Sequence, residues 1–394
     1  MKRYLFISLF FNCISALSQT FPNKNVQAYF KETYEESRQQ FLESLESLKK
    51  QNNLSISAQF FPDPENGSLT TDTAYIKSSK AISENLVVIM SGLHGIEGFV
   101  GSAIQNSILN SDFILKNKHT DFLFIHALNP YGFKNKRRVN RFNIDLNRNF
   151  LLTEKDFNLK NAAYTEINYF LNPNEIVNLN ILSRYGFILS SIKLILQYSL
   201  ETLREAILKG QYEYNKGLYY GGNKNQYQKQ IIDELYSSII LKYQKSFIID
   251  IHTGYGERNK LHILANSMNQ PSATTLNKIF TATRIDYGDQ KKFYKTTGDL
   301  IGYLEAKTSS QNQISGVTFE FGTLDSQKTL GSIESLRRMV LENQNFNYPN
   351  TPKETVEVTA LFQDMFNPAD EFFRKQAVEK AQEELFKITT FLKK

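Results

Sequence analysis

Cysteine is almost absent from this sequence of 394 residues, and its absence excludes several kinds of site. The single cysteine, Cys13, lies in an N-terminal segment that has the features of a signal peptide. The rest of the chain has no thiol, so it can form neither a disulfide framework nor a thiolate metal site, and it offers no cysteine nucleophile. Any metal site therefore has to use other ligands, and histidine is also scarce, with five in the chain.

A dense block of positive charge is also missing. The formal net charge is +6, from 46 lysines and arginines against 40 acidic residues, and the basic residues are scattered. This distribution is typical of a mildly basic, solvated surface rather than of the clustered basic face of a nucleic-acid-binding protein. We therefore expect no nucleic-acid partner.

The sequence has no uninterrupted apolar run of the length of a typical transmembrane helix. The apolar residues 4–11 follow Lys2 and Arg3 and precede small and polar residues up to Ser18. This pattern is typical of a secretory signal, whereas a membrane span needs about 20 apolar residues. The sequence therefore predicts a signal peptide at residues 1–18, a secreted or periplasmic protein, and no membrane span after cleavage.

What the sequence does contain is a series of short apolar runs that alternate with helical patterns. The runs that predict strands buried on both faces are residues 86–90, 122–125, 247–251 and 316–319. Residues 101–109 and 272–283 show helical spacing, and residues 61–72 read as a turn-rich connection. The alternation of strands and helices predicts an α/β domain with a largely parallel or mixed sheet.

Side chains capable of chemistry follow these strands, where sites form in open α/β sheets. His94 and Glu97 come after the first run, three residues apart, which places them on one side of a helical turn. His252 ends the third run, and Asp250 is a candidate partner that would orient its ring. Two histidines, one carboxylate and an open position are typical of a catalytic zinc site. Packed structural histidines remain the alternative, and other divalent metals suit the same ligands.

Residues 137–150 form a segment rich in arginine and asparagine. Arginine pairs with carboxylates through two parallel hydrogen bonds, and a neighbouring asparagine adds a neutral donor and acceptor. A basic loop in solvent is the alternative interpretation for Arg137 and Arg141. The tight cluster that contains Asn147 and Arg148 favours a binding role.

A lone glutamate, Glu320, stands at the end of the last apolar run. A carboxylate in such a place is costly unless it is paired or used, and near an activated water it can act first as general base and then as general acid. A structural ion pair is the alternative. Of the remaining histidines, His126 is a candidate for either a packed or a functional group, while His119 and His262 are expected to be structural or exposed.

In combination, these motifs resemble the zinc metallocarboxypeptidase superfamily, which includes carboxypeptidase A and the aspartoacylases. The order is Gly-x-His-x-x-Glu, Asn-Pro-x-Gly, Asp-Leu-Asn-Arg-Asn-Phe, Asp-x-His and a late strand glutamate, over roughly residues 86–325. The phrases around the first two motifs look closest to an uncharacterised, mainly bacterial branch. The resemblance implies one Zn2+ ion held by His94, Glu97 and His252, a ligand set that is a known type of catalytic zinc site.

The resemblance also implies a role for the other motif residues. Glu320 is similar to the catalytic glutamate, and Arg138 to the arginine that polarises the scissile carbonyl and stabilises the oxyanion, with the two neighbouring arginines as competitors. Asn147 and Arg148 are similar to the pair that binds the terminal carboxylate of the substrate. The substrate-binding tyrosine of the family is left open among Tyr255, Tyr294 and Tyr303.

We therefore predict a three-layer α/β/α mixed sheet of the zinc carboxypeptidase type, in a single domain over residues 19–394 with a helical insertion at about residues 151–245. The expected reaction is hydrolysis of an amide bond next to a free carboxylate, in a peptide or an N-acyl amino acid. Two alternatives stay open. One is a deacylase or amidase for small N-acyl amino acids or cell-wall peptides, and the other is a zinc-binding module without turnover.

Overall fold

The computed structural model describes residues 25–52, 54–77, 83–266, 271–288 and 296–393. The predicted signal peptide at residues 1–18, the single cysteine and Tyr294 therefore lie outside the described residues. Within those ranges, no helix combines the length and the apolar character that crossing a membrane requires.

The strands of the described chain form one mixed sheet. In chain order they are β1 Ser55–Asp63, β2 Asn66–Lys77, β3 Asn85–Met90, β4 Thr120–His126, β5 Lys245–Gly254, β6 Leu261–Ala265, β7 Ile285–Tyr287 and β8 Gln313–Gly322. Their spatial order is β1-β2-β4-β3-β5-β8-β6-β7. The neighbours β4, β3, β5 and β8 run parallel to one another, so their carboxyl ends meet at the same edge of the sheet.

Helices cover both faces of this sheet. In chain order they are α1 Tyr34–Asn52, α2 Gly98–Leu109, α3 Phe113–Lys116, α4 Pro130–Lys134, α5 Ala162–Leu171, α6 Ile181–Tyr198, α7 Leu200–Leu208, α8 Tyr227–Ser238, α9 Pro271–Ile279, α10 Leu300–Glu305, α11 Thr329–Asn347, α12 Pro352–Phe366 and α13 Glu371–Leu392. Short 3-10 turns lie at Val26–Tyr29, Gly95–Glu97, Leu146–Arg148, Glu154–Asn158 and Ile240–Lys242.

Alternate residues of the central strands enter two separate hydrophobic cores, because side chains of a strand alternate between its faces. Val87 and Ile89 of β3 pack into the core that is covered by α1, α2, α9 and α13. Leu86 and Val88 of the same strand pack into the core that is covered by α8 and α10. The predicted three-layer α/β/α arrangement with a mixed sheet is therefore confirmed.

The order of the strands reverses at β3, which borders β4 on one side and β5 on the other. Such a switch point opens a crevice at the carboxyl ends of the strands. The chain leaves β3 through Gly92, whose φ is +66°. Gly95 then approaches another loop so closely that a Cβ atom would lie 2.1 Å from the carbonyl carbon of Gly132. This contact brings the arginine-rich segment to the end of β3, where the Gly95 amide donates to the Arg138 carbonyl oxygen at 3.1 Å.

The prediction of a turn-rich connection over residues 61–72 is wrong. The strands β1 and β2 form an antiparallel hairpin there, which turns at residues 64–65. The side chains of β1 are mostly exposed, as expected of an edge strand. A strand that faces water on both sides has no apolar alternation to show in its sequence, and Pro62 is tolerated because it lies on the edge.

Between the arginine-rich segment and β5, the chain is mainly helical, with α5 to α8 in succession. The helix α6 packs one side inward and leaves the other in solvent. Leu194 is 6% exposed, whereas Leu196, two residues later, is 82% exposed. Both sides of this helix are therefore apolar, but only one of them contacts the rest of the described chain.

The packing of α13 on the sheet can be tested with two adjacent phenylalanines. Phe373 is 2% exposed and belongs to the core on that face, while Phe372 is 58% exposed. We expect Phe373→Ala to lower the free energy of unfolding by about 3–5 kcal/mol, because it leaves a cavity in the core. Phe372→Ala should change it by less than about 0.5 kcal/mol. Urea unfolding measures both, and equal losses would contradict this packing.

Candidate active site

The structure brings together the three residues that were predicted to bind a metal ion. His94 and Glu97 come from the turn after β3, and His252 comes from the neighbouring strand β5. Their possible ligand atoms all lie within 4.8 Å of one another, and all three side chains are buried. Nδ1 of His252 is 3.0 Å from Nδ1 of His94 and 2.9 Å from Oε2 of Glu97. Nδ1 of His94 is 2.8 Å from Oε1 of Glu97.

The other nitrogen of each imidazole is bonded to a buried carboxylate. Nε2 of His94 is 3.0 Å from Oδ1 of Asp145, and Nε2 of His252 is 2.7 Å from Oδ2 of Asp250. A carboxylate only accepts, so each Nε2 carries a proton and points away from the cluster. The two Nδ1 atoms and the Glu97 carboxylate then face one another, and this set of atoms suits a divalent cation.

The electrostatics of His252 agree with this interpretation. Burial lowers the pKa of His252, but the carboxylates of Asp250 and Glu97 outweigh burial and hold that pKa well above its usual value. For the carboxyl group of Glu97 the directions are opposite. Burial raises its pKa, but His94 and His252 outweigh burial and hold that pKa well below its usual range. The surroundings thus stabilise a positive charge at this point, either as a proton on the imidazole or as a metal ion.

Arg138 is the arginine of the predicted segment that reaches this cluster. Its Nη1 donates to Oε1 of Glu97 at 3.2 Å, and its Nε and Nη2 both donate to Oδ2 of Asp145 at 3.2 Å. The competing arginines point elsewhere. Arg137 pairs with Glu342 at 2.6 Å, and Arg141 pairs with Asp63 at 2.7 Å. Their side chains therefore hold other parts of the fold together.

Asp145 is a site residue that our sequence reasoning missed. It is fully buried and joins three parts of the site: it accepts from the His94 ring, from the Arg138 guanidinium and from the backbone amide of Asn147 at 3.0 Å. Burial raises its pKa, but Arg138 and His94 hold the pKa well below its usual range. Its position as the first residue of the Asp-Leu-Asn-Arg motif was the available signal.

Glu320 lies beside the metal cluster on β8. In the parallel register of β5 and β8 it pairs with His252, and its Oε1 accepts the backbone amide of Tyr255 at 2.9 Å. Burial, with the like charge of Glu97 as the next cause, raises the pKa of Glu320 to about 8. A carboxyl group with a pKa near neutrality is suited to proton transfer.

Asn147 and Arg148 line the same cavity as the cluster. Oδ1 of Asn147 accepts the amide of Leu300 at 3.0 Å. Nε and Nη2 of Arg148 donate to the carbonyl oxygen of Leu208 at 3.0 and 2.6 Å, and its Nη1 donates to the Asn147 carbonyl oxygen at 2.7 Å. These acceptors are neutral, and Arg148 forms no ion pair with a carboxylate among the described residues. Its charge therefore remains for an anionic ligand.

A second residue that sequence reasoning missed is Tyr219, in the loop before α8. Its buried ring lies 5.3 Å from the guanidinium carbon of Arg138 and 5.7 Å from that of Arg148, distances at which a cation is attracted to the face of an aromatic ring. This tyrosine lies in the loop between α7 and α8, outside the motifs, so no sequence pattern marks it as a site residue. Of the tyrosines proposed from sequence, Tyr255 and Tyr303 also line the cavity. The Tyr303 hydroxyl is bonded to Asp233.

The remaining histidines lie outside this cluster. His126 is buried, stacks on Phe41, and has its Nε2 2.9 Å from the Ser102 hydroxyl, and burial lowers its pKa to about 3. His262 accepts the Glu257 amide at 2.9 Å. His119 is exposed.

One cavity of 660 Å³ contains the candidate site. His94, His252 and Glu320 line it together with Arg138, Asn147 and Arg148. This volume lies in the range of small-molecule sites. The two histidines of the candidate metal site, a buried carboxyl group and two arginines therefore line the same cavity, an arrangement that suits hydrolysis of a substrate carrying an anionic group.

The chain is similar in structure to several solved proteins at low sequence identity. Carboxypeptidase A from Helicoverpa armigera has 13% identity and a TM-score of 0.45, with 89% of this chain and 80% of that chain covered. Bovine thrombin-activatable fibrinolysis inhibitor has 13% identity and a TM-score of 0.45, with 89% and 98% covered. Murein-tripeptide amidase MpaA from Escherichia coli O157 has 12% identity and a TM-score of 0.35, with 72% and 92% covered.

At these TM-scores and identities, the function of this chain rests on the residues of its own site. No curated protein matches the sequence significantly. One family model, described as a protein of unknown function (DUF2817), matches residues 30–380, and this range includes every residue of the candidate site. The chain therefore belongs to the DUF2817 family.

Proposed function

We propose that this protein is a zinc-dependent hydrolase of the metallocarboxypeptidase type, which cleaves an amide bond next to a free carboxylate. The observation that carries the proposal is the convergence of two imidazole Nδ1 atoms and the Glu97 carboxylate, beside the cavity that both histidines line, with each ring held from behind by Asp145 or Asp250. Two histidines and one carboxylate that face a cavity are typical of catalytic zinc, and carboxylates behind the histidines are its usual support.

The residues around the cluster supply the remaining chemistry. Bound zinc would polarise the scissile carbonyl and lower the pKa of the attacking water. Glu320 takes a proton from that water and then donates it to the leaving amine. Arg138 donates hydrogen bonds to the oxyanion that develops on the carbonyl oxygen. Asp145 keeps the Arg138 guanidinium in place through two hydrogen bonds, so the donors need little reorganisation during the reaction.

Arg148 is the candidate binding partner for the negatively charged carboxylate of the substrate. Its guanidinium is anchored on carbonyl oxygens and keeps its full charge, and the side chain of Asn147 lies next to it in the cavity lining. We propose that these two residues bind the substrate carboxylate, which would fix the scissile amide at a set distance from Glu320. Tyr219, which faces both arginines, supports this geometry.

The cavity walls favour a compact substrate over a long polypeptide. Side chains of α5, α6 and α7, such as Leu171, Leu194 and Ile207, line the cavity that contains the site. An N-acyl amino acid or a short peptide is therefore the better substrate candidate, which favours the deacylase or amidase alternative. The zinc-binding module without turnover is disfavoured because Glu320 and Arg138 line the same cavity as the metal cluster. Secretion or a periplasmic location stays a prediction from residues 1–18.

The role of Asp145 in holding the metal ligand can be tested by Asp145→Asn. The neutral amide of the variant lacks the negative charge that holds both His94 and Arg138. We therefore expect zinc affinity to fall about 10- to 100-fold. Competition with a chromogenic chelator measures the affinity. Asp112→Asn, at a residue 61% exposed, is the matched control and should bind zinc like the wild type. Unchanged affinity in Asp145→Asn would contradict the proposed support.

The role of Glu320 can be tested by Glu320→Gln. The amide cannot accept the proton of the attacking water, so hydrolysis of N-acyl amino acids should fall about 10²- to 10⁴-fold, while the zinc content stays at one ion per chain. Glu257→Gln, at an exposed glutamate on the loop after β5, should retain full activity. Activity that survives complete chelation of the wild type would sink the zinc mechanism.

The proposed requirement for a free carboxylate can be tested by esterifying that carboxylate in the substrate, without changing the protein. An N-acyl amino acid methyl ester leaves the buried charge of Arg148 without its anion, so we expect kcat/KM to fall at least about 100-fold relative to the free acid. Arg148→Ala should reduce the rate with the free acid and narrow the difference between the two substrates. An equal preference for acid and ester in the wild type would show that Arg148 binds something else.

A further inference from the structure

The walls of the cavity differ strongly in polarity from one part to another. The helices α5, α6, α7, α11 and α12 contribute mostly aliphatic and aromatic side chains to the lining. Representative members are Leu171, Leu194, Leu203, Met339 and Phe366. Each of these residues is also part of, or packed against, one hydrophobic cluster that includes Ile96, the neighbour of the metal ligand Glu97. The apolar wall adjoins the strand that carries His252, because the Thr253 hydroxyl donates to the Phe366 carbonyl oxygen at 2.6 Å.

The carboxylate end of the cavity is lined differently. The segment that precedes α10 contributes Thr296, Thr297 and Asp299 to the lining. This polar segment packs on the carboxylate-binding pair, since the Leu300 amide donates to Asn147 Oδ1 at 3.0 Å and the Phe150 amide donates to the Gly298 carbonyl oxygen at 2.9 Å. The polar side chains of this segment therefore lie on the amino-acid side of the substrate, where the apolar Phe150, Leu151 and Leu152 also line the cavity.

The helix α7 gives the direction of the apolar wall. At its C-terminal end, the Leu208 carbonyl oxygen accepts from Arg148. One turn earlier, Arg204 donates to the Ser326 carbonyl oxygen at 2.7 Å. The Ser326 hydroxyl accepts the amide of Gly256, the neighbour of Tyr255, whose own amide donates to Glu320. Leu200 stands at the start of the helix, roughly 12 Å from Leu208 at 1.5 Å per residue.

Along α7, Leu208 therefore adjoins Arg148, Arg204 adjoins the segment that is bonded to the loop of Tyr255, and Leu200 and Leu203 belong to the apolar lining. A substrate that lies along this helix with its carboxylate at Arg148 places its scissile amide near Glu320. The group on the far side of that amide is the acyl group, and it meets Leu200, Leu203 and the apolar wall.

We propose that the substrate is an N-acyl amino acid with a medium- or long-chain fatty acyl group, which binds along the helical insertion. This inference rests on the proposed function of the same site. In the reaction, the oxygen of water forms a bond to the acyl carbonyl carbon and the C–N bond breaks. One proton of the water passes through Glu320 to the leaving nitrogen, and the products are a fatty acid and a free amino acid.

The test is a chain-length series of N-acyl-L-alanines, from acetyl through octanoyl to dodecanoyl, with the zinc-loaded protein. Each methylene buried in the apolar wall should raise kcat/KM about fourfold until the cavity is filled, so octanoyl-alanine should exceed acetyl-alanine by roughly 100-fold or more. A rate that is flat or falls with chain length overturns this inference and leaves the proposed function standing.

Adjacent residues of α6 provide a matched pair of variants. Ile195 lines the cavity, whereas Leu196 is 82% exposed and does not line it. We expect Ile195→Phe to shorten the cavity and to lower the dodecanoyl-to-acetyl ratio of kcat/KM at least about tenfold, while Leu196→Phe keeps the wild-type ratio. Leu203→Phe on α7 should act like Ile195→Phe, and equal ratios in all variants overturn the proposed location of the chain.

The experiment also distinguishes a failure of the proposed function from a failure of the proposed acyl-chain subsite. If the zinc-loaded protein hydrolyses no N-acyl amino acid at all, the proposed function is wrong. Calorimetric binding of dodecanoyl-alanine and acetyl-alanine to the same protein then decides the inference separately. Tighter binding of the dodecanoyl compound, lost in Ile195→Phe and kept in Leu196→Phe, supports the apolar subsite, and equal or absent binding of the two compounds overturns it.

Discussion

The site depends on a concentration of buried negative charge around two imidazole rings. Glu97, Asp145, Asp250 and Glu320 are all buried, and Arg138 is the guanidinium in contact with two of them. Burying carboxylates without compensating charge costs several kcal/mol per ion. A divalent cation at the point where the two Nδ1 atoms meet would supply positive charge there, so the arrangement that we propose to bind a metal would also lower the cost of burying these carboxylates.

That charge cluster is assembled from chain segments far apart in sequence, and backbone geometry brings them together. The parallel register of β5 and β8 sets His252 beside Glu320. The close contact of Gly95 with Gly132 sets Arg138 beside the turn that carries the metal ligands. Since each contribution comes from a strand end or from a backbone contact, the site tolerates little change in the strand order or in these glycines.

The sequence predicted the parts of this arrangement that have a strong local signal. Apolar runs such as residues 86–90 mark central strands because both faces of such strands are buried, and His94 and Glu97 follow directly in a recognisable motif. The hairpin of β1 and β2 was missed because an edge strand in solvent has no such signal. Tyr219 was missed because its role comes from contacts with two arginines far away in the sequence. Asp145 was missed although it opens the Asp-Leu-Asn-Arg motif, because its bond to His94 joins residues 51 positions apart.

Arg148 links the helices between the arginine-rich segment and β5 to the candidate site. Its guanidinium donates to the carbonyl oxygen of Leu208, the last residue of α7, where the unpaired carbonyl groups of a helix carry partial negative charge. These partial charges orient the arginine without neutralising it, as a carboxylate partner would. The helix α7 therefore lines the cavity and also positions the charge that we expect to select for a carboxylate. Substitutions that shift α7 should for this reason alter acyl-chain preference and carboxylate binding together, since one helix contributes to both.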